Sequence, residues 1–116
     1  MYTEIWTYRT NVMPNGRKLE GFSVEARDGR IGKVDEASDE VGGSAIVVDT
    51  GPWIFGRKVI VPAGTIERAD FDTSTVHVAL TKDQIKSSPE FDAERGWRNE
   101  DYRNRLGEYY AGRRAS

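Results

Sequence analysis

The stretch SAIVVDTGPWIFGRKVIVP, residues 44–62, decides the fold. Ala45-Ile46-Val47-Val48 and Lys58-Val59-Ile60-Val61 flank an aromatic loop punctuated by Gly51, Pro52 and Gly56. β-branched side chains are stiff at χ1 and pack well on a pleated surface. Both runs are too short for a globular helix and end at Gly or Pro, so both are predicted to be strands. Together they predict a hairpin at the centre of a small β domain.

Upstream, residues 21–26 (GFSVEA) predict a strand, and Asp28-Gly29 predicts a tight turn because Gly accepts positive φ. The return strand covers residues 31–37 (IGKVDEA). Ile31 and Val34 have opposite parity there, so a regular strand would send them to opposite faces. A bulge at Gly32 reconciles them. Residues 38–44 (SDEVGGS) form an acidic, Gly-rich loop with too few spaced oxygens for a Ca²⁺ site.

Downstream, Pro62-Ala63-Gly64 turns the chain into a strand over 65–69, and Asp72-Thr73-Ser74 is a further turn. Residues 75–80 (TVHVAL) alternate, with Val76, Val78 and Leu80 on one face and Thr75, His77 and Ala79 on the other. Six short strands at this spacing predict an all-β fold, a small antiparallel sheet curled into a barrel whose closure removes exposed edges. Thr81-Lys82-Asp83-Gln84 has the form of a capping box and predicts a short helix ending before Pro89.

Two arms flank this body. Residues 1–19 carry Trp6 and Tyr8 before the break at Pro14 and Asn15-Gly16. Disordered tails are poor in aromatics, so Trp6 and Tyr8 are expected to dock. In residues 93–116, Tyr102, Leu106, Tyr109 and Tyr110 share one helical face. Gly107 weakens that helix by about 1 kcal/mol, and an isolated helix of this length is marginal, so it is expected to form by docking. The central 20–92 hold eight Lys and Arg against fourteen Asp and Glu, whereas each arm has a net charge of +2. An acidic body with two basic arms suggests that the arms lie on a body, their own or a partner's.

At 116 residues the chain suits one domain with a real core. Without Cys it has no disulfide framework and no thiolate nucleophile or ligand, which fits a cytoplasmic protein. No signal pattern opens the sequence, and no apolar run approaches the roughly 18 residues of a membrane span. The small negative net charge argues against non-specific nucleic-acid binding.

Residues 21–34 (GFSVEARDGRIGKV) resemble the opening of a PRC-barrel domain, residues 45–51 and 58–62 its middle, and residues 81–91 (TKDQIKSSPEF) its end. The resemblance spans residues 20–92, and the aromatic arms resemble those of a stand-alone bacterial version. It implies a compact six-stranded β-barrel that binds other proteins, with no catalytic residue, cofactor or metal ligand to carry over. The family includes the cytoplasmic domain of the photosynthetic reaction-centre H subunit and the C-terminal domain of a ribosome-maturation factor. The former's membrane helix and the latter's extra N-terminal domain have no counterpart in this sequence. Together with the aromatic arms, which are expected to pack on their own barrel or across a homodimer, this suggests a self-associating scaffold or adaptor, a homo-oligomer.

Three other constellations bear on chemistry. Asp49-Thr50-Gly51 mimics an aspartic-protease triplet, which in so short a chain would need a dimer to supply the second carboxylate. The bland alternative is that Asp49 ends a strand and Gly51 allows a turn. His77, the single histidine, lies on the alternate face of a strand rather than in a triad or transition-metal pattern. No phosphate-binding glycine fingerprint occurs. The interaction surface expected from the sequence comprises Trp6, Tyr8, Trp53, Phe55, Trp97, Tyr102, Leu106, Tyr109 and Tyr110, since large aromatics anchor interfaces. Trp53 and Phe55 have the competing option of plugging one end of the barrel. Arg98, Arg103, Arg105, Arg113 and Arg114 beside these tyrosines raise RNA as a further partner class, opposed by the acids in the same segment.

Overall fold

The Val- and Ile-rich runs become strands, as their stiffness at χ1 requires. The computed structural model describes residues 18–37, 44–51, 58–89 and 100–113. Six strands, β1 (Ser23–Ala26), β2 (Gly29–Ala37), β3 (Ala45–Asp49), β4 (Lys58–Pro62), β5 (Ile66–Asp70) and β6 (Thr75–Val78), precede helices α1 (Lys82–Lys86) and α2 (Glu100–Arg113). The sheet order is β4-β3-β2-β1-β6-β5.

The hairpin of residues 44–62 is present: β3 and β4 pair antiparallel from Ala45 opposite Pro62 to Asp49 opposite Lys58. Four consecutive residues of each strand are buried. Both faces are therefore covered, which is why these strands read as continuous apolar runs rather than alternating ones.

β2 does carry a bulge, but one residue before the expected Gly32, which is itself paired. Val24 pairs with Gly32 and Glu25 with Arg30, which leaves Ile31 as the extra residue. A second irregularity follows, because Val34 pairs with Val48 and Glu36 with Val47 around Asp35. Ile31, Val34 and Ala37 are spaced by three, with irregularities at Ile31 and at Asp35. Ile31 and Val34 are buried and Ala37 packs against the same core. Gly32, at φ 156°, lets the backbones of β2 and β3 meet: a Cβ there would collide with the Asp49 carbonyl oxygen and lie 2.9 Å from its carbon and 3.0 Å from Thr50 Cα.

The expectation of an antiparallel closed barrel requires correction. β1 pairs parallel with β6, so the sheet is mixed. Among the described residues β4 and β5 do not pair, so the ladder is open. Short turns fix an antiparallel direction only for consecutive strands. β1 and β6 are far apart in sequence, and no turn sets their relative direction.

The sheet nevertheless curls. β4 and β5 are at opposite ends of the strand order, yet only the 3-10 turn Ala63–Thr65 separates them. Five strand spacings would span about 24 Å if flat, whereas the four steps from Pro62 to Ile66 reach about 14 Å at most. The turn is buried and forms the corner. Ala63 N–H donates to Ser44 O at 3.0 Å, and Ala79 N–H donates to Thr65 O at 2.8 Å. Thr65 Oγ1 donates to Pro62 O at 2.7 Å. The last bond but one pulls Ala79 inward, so it is buried beside Val78 and Leu80 instead of following the outward alternation expected of it.

The capping box at α1 forms as the sequence predicts: Gln84 N–H donates to Thr81 Oγ1 at 3.2 Å, and Thr81 N–H donates to Gln84 Oε1 at 2.8 Å. Lys82 N–H donates to Asp28 Oδ1 at 2.8 Å, tying the helix start to the β1–β2 turn. At the β5–β6 turn, Asp70 Oδ1 accepts from the N–H groups of Asp72 at 3.0 Å and Thr73 at 3.2 Å. These bonds hold its carboxyl below the usual 3.8, the Thr73 backbone contributing most.

Gly32→Ala lowers stability in denaturant titration by more than about 2 kcal/mol, since backbone rather than a flexible side chain must move. Gly21→Ala costs only the roughly 1–2 kcal/mol of positive-φ strain, because nothing lies within 4 Å of its added Cβ. For Asp70 the folded-state value lies below the unfolded one. Its contribution is present above the unfolded 3.8 and is lost as pH falls through the depressed folded value. Asp70→Asn therefore flattens the acid limb of the stability profile below that pH, read by thermal unfolding, and preserves its shape near neutrality.

Candidate functional site

Helix α2 carries four of the nine aromatic and aliphatic residues expected to form a surface. Three of them face inward: Tyr102 is 4 % exposed, and Leu106 and Tyr110 are fully buried in the core shared with the strands. Tyr109 is half-buried and meets Tyr110 edge-on, with centroids 5.0 Å apart at 82°. Its hydroxyl donates to Gln84 O at 2.6 Å, and the Tyr102 hydroxyl donates to Pro89 O at 3.3 Å. The Arg105 guanidinium lies over the Tyr102 ring, 5.9 Å from its centroid. The helix thus docks on its own chain. Trp6, Tyr8, Trp53, Phe55 and Trp97 lie outside the described residues.

The Asp49-Thr50-Gly51 segment ends β3. Asp49 is exposed, but its Oδ1 accepts from the Gly51 N–H at 3.0 Å, and Gly51 adopts φ 55°. This is an Asx-type turn, in which the carboxylate stands in for a backbone acceptor. Thr50, in the middle, is buried. His77 is half-buried on β6, between Glu25 of β1 and Arg68 of β5 in the registers. Among the described residues no group of three or more His, Asp or Glu is placed to hold a metal ion, and no helix is long and apolar enough to cross a membrane.

A cleft of about 450 Å³ opens where the β2 bulge faces the end of β3. Arg30, Ile31, Gly32 and Lys33 line one side, and Asp49, Thr50 and Gly51 the other. The bulge that sends Ile31 and Val34 to the core leaves both Arg30 and Lys33 exposed. Lys33 is opposite Asp49 in the register. Beside the cleft, Lys58 Nζ donates to Asp35 Oδ2 at 2.9 Å. The bond to Asp35 and then its charge hold the Lys58 ammonium above its usual 10.5, with Asp49 and Glu36 adding to the same field. Both partners of this pair are nearly half exposed, so it contributes little to stability. Sequence reasoning passed over the cleft. The available signal was a glycine that demands close backbone approach, set between two cations.

No protein-family model matches the chain, and no curated protein is similar to it at a significant level.

Since α2 completes the core, Leu106→Ala is expected to cost about 2–5 kcal/mol in denaturant unfolding. The exposed Asn104→Ala on the same helix stays within about 0.5 kcal/mol.

Proposed function

We propose that this chain is a stand-alone, PRC-barrel-type protein-interaction module without a catalytic centre, acting as a self-associating scaffold or adaptor. The observation that carries the reading is the placement of the strands. Strands β1 to β4 overlap segments that resemble that domain, and all six lie within residues 20–92 around one apolar core. The Asp49 carboxylate is engaged in its own turn, which favours the structural role of the triplet over a protease role. Tyr102 and Tyr110 are turned into the core, so neither ring offers a platform for stacking RNA bases, and protein contact is favoured over nucleic acid.

The surface for self-association then has to come from elsewhere than the buried face of α2. Among the described residues strand β5 is a sheet edge, in which Arg68 is exposed and Glu67, Ala69 and Asp70 are half-buried. Sheet edges are templates for strand addition, and mixed charges restrict which partner fits. A second copy supplies the same alternation in reverse. Deleting α2 would unfold the chain, so the test uses the full chain and a surface variant. Sedimentation velocity across micromolar concentrations is expected to show a monomer–dimer equilibrium that Arg68→Glu shifts toward monomer. A chain that stays monomeric throughout removes self-association, and a peptidase activity abolished by Asp49→Asn overturns the non-catalytic assignment.

A further inference from the structure

We propose that the cleft between the β2 bulge and the end of β3 binds a small organic anion through Arg30 and Lys33. Its volume of about 450 Å³ lies within the range of small-ligand sites. The bulge at Ile31 puts both cations on the face opposite the core, although a regular strand would separate residues three apart. Contact between Gly32 and the Asp49–Thr50 backbone gives the cleft a main-chain floor, over which a ligand's body can lie against the aliphatic stems of the two cations.

Two other cations are in ion pairs. Arg27 approaches Glu67 at 3.9 Å and Lys58 is bonded to Asp35 at 2.9 Å. Among the described residues Arg30 and Lys33 are in no ion pair. Asp49 stands opposite Lys33, but its Oδ1 is held by the Gly51 N–H, which directs part of its charge into the turn. Arg30 is therefore the leading anion contact, its planar fork suited to two oxygens of a carboxylate or phosphate. Residues 20–92 carry a net negative charge, which repels anions at long range, so occupancy depends on direct contact in the cleft.

The test is an amide NMR titration of the full chain with inorganic phosphate and, separately, with succinate, ionic strength being matched with chloride. Saturable shifts centred on residues 30–33 and 49–51 are expected for at least one probe, and the stronger probe distinguishes phosphate from carboxylate chemistry. The double variant Arg30→Ala, Lys33→Ala weakens binding by about ten-fold or more, the effect of losing a charge-assisted hydrogen bond. Lys18→Ala, another exposed cation, leaves it unchanged. Absence of saturable shifts with both probes, shifts spread over the surface, or affinity retained in the double variant each overturns the proposal.

Discussion

The contact of Gly32 with the backbone of Asp49 and Thr50 is the constraint on which the rest of the fold depends. Two strands cannot approach so closely with a side chain between them. Beside that contact the β1–β2 pairing bulges at Ile31, and the faces of β2 are assigned. Ile31 and Val34 turn inward, Arg30 and Lys33 outward, and the end of β3 is seated where the Asp49 turn closes. Packing and the cleft thus have one local cause. The same few atoms position the core face of the longest strand and the charged rim on its other side.

Curling of the sheet is the second consequence of close packing. The corner at Ala63–Thr65 brings the two ends of the strand order together without hydrogen-bonding them to each other. Ser44 and Ala79 bond the corner from opposite parts of the sheet, so its polar backbone is satisfied while buried. Helix α2 adds Tyr102, Leu106 and Tyr110 to the interior that the strands cannot fill alone. Its two tyrosine hydroxyls at positions 102 and 109 reach backbone carbonyls at Pro89 and Gln84, which fixes its seat relative to α1. A buried tyrosine ring usually brings its hydroxyl to such an acceptor.

Much of this was legible in the residues. The spacing of Ile31 and Val34 required a bulge, the Thr81–Gln84 pair required a cap, and the Val- and Ile-rich runs required a hairpin. Each is a local rule, satisfied by residues within a few positions of one another. The inward face of α2 was also readable from Tyr102, Leu106 and Tyr110, but whether it docked on its own chain was not, because periodicity gives a face and not its partner. The parallel pairing of β1 with β6 left no local mark, since no turn joins them. The cleft was hidden for the same reason: Lys33 and Asp49 meet only through register. In the sequence Asp49 belongs to a protease-like triplet and Lys33 to a separate strand, and only the backbone contact beside them joins the two into one surface.

The parallel seam between β1 and β6 also affects how the molecule is made. Val24 emerges from the ribosome early, and its partner Val76 much later. The β1–β2, β2–β3 and β3–β4 pairings need no chain beyond β4, so four of the six strands can assemble early in translation. One flank of β1 has to wait, and closing so long a loop is entropically costly and slow. The nascent protein thus passes through a stage in which its future central strand is a temporary border, open to capture by a chaperone or by the wrong neighbour.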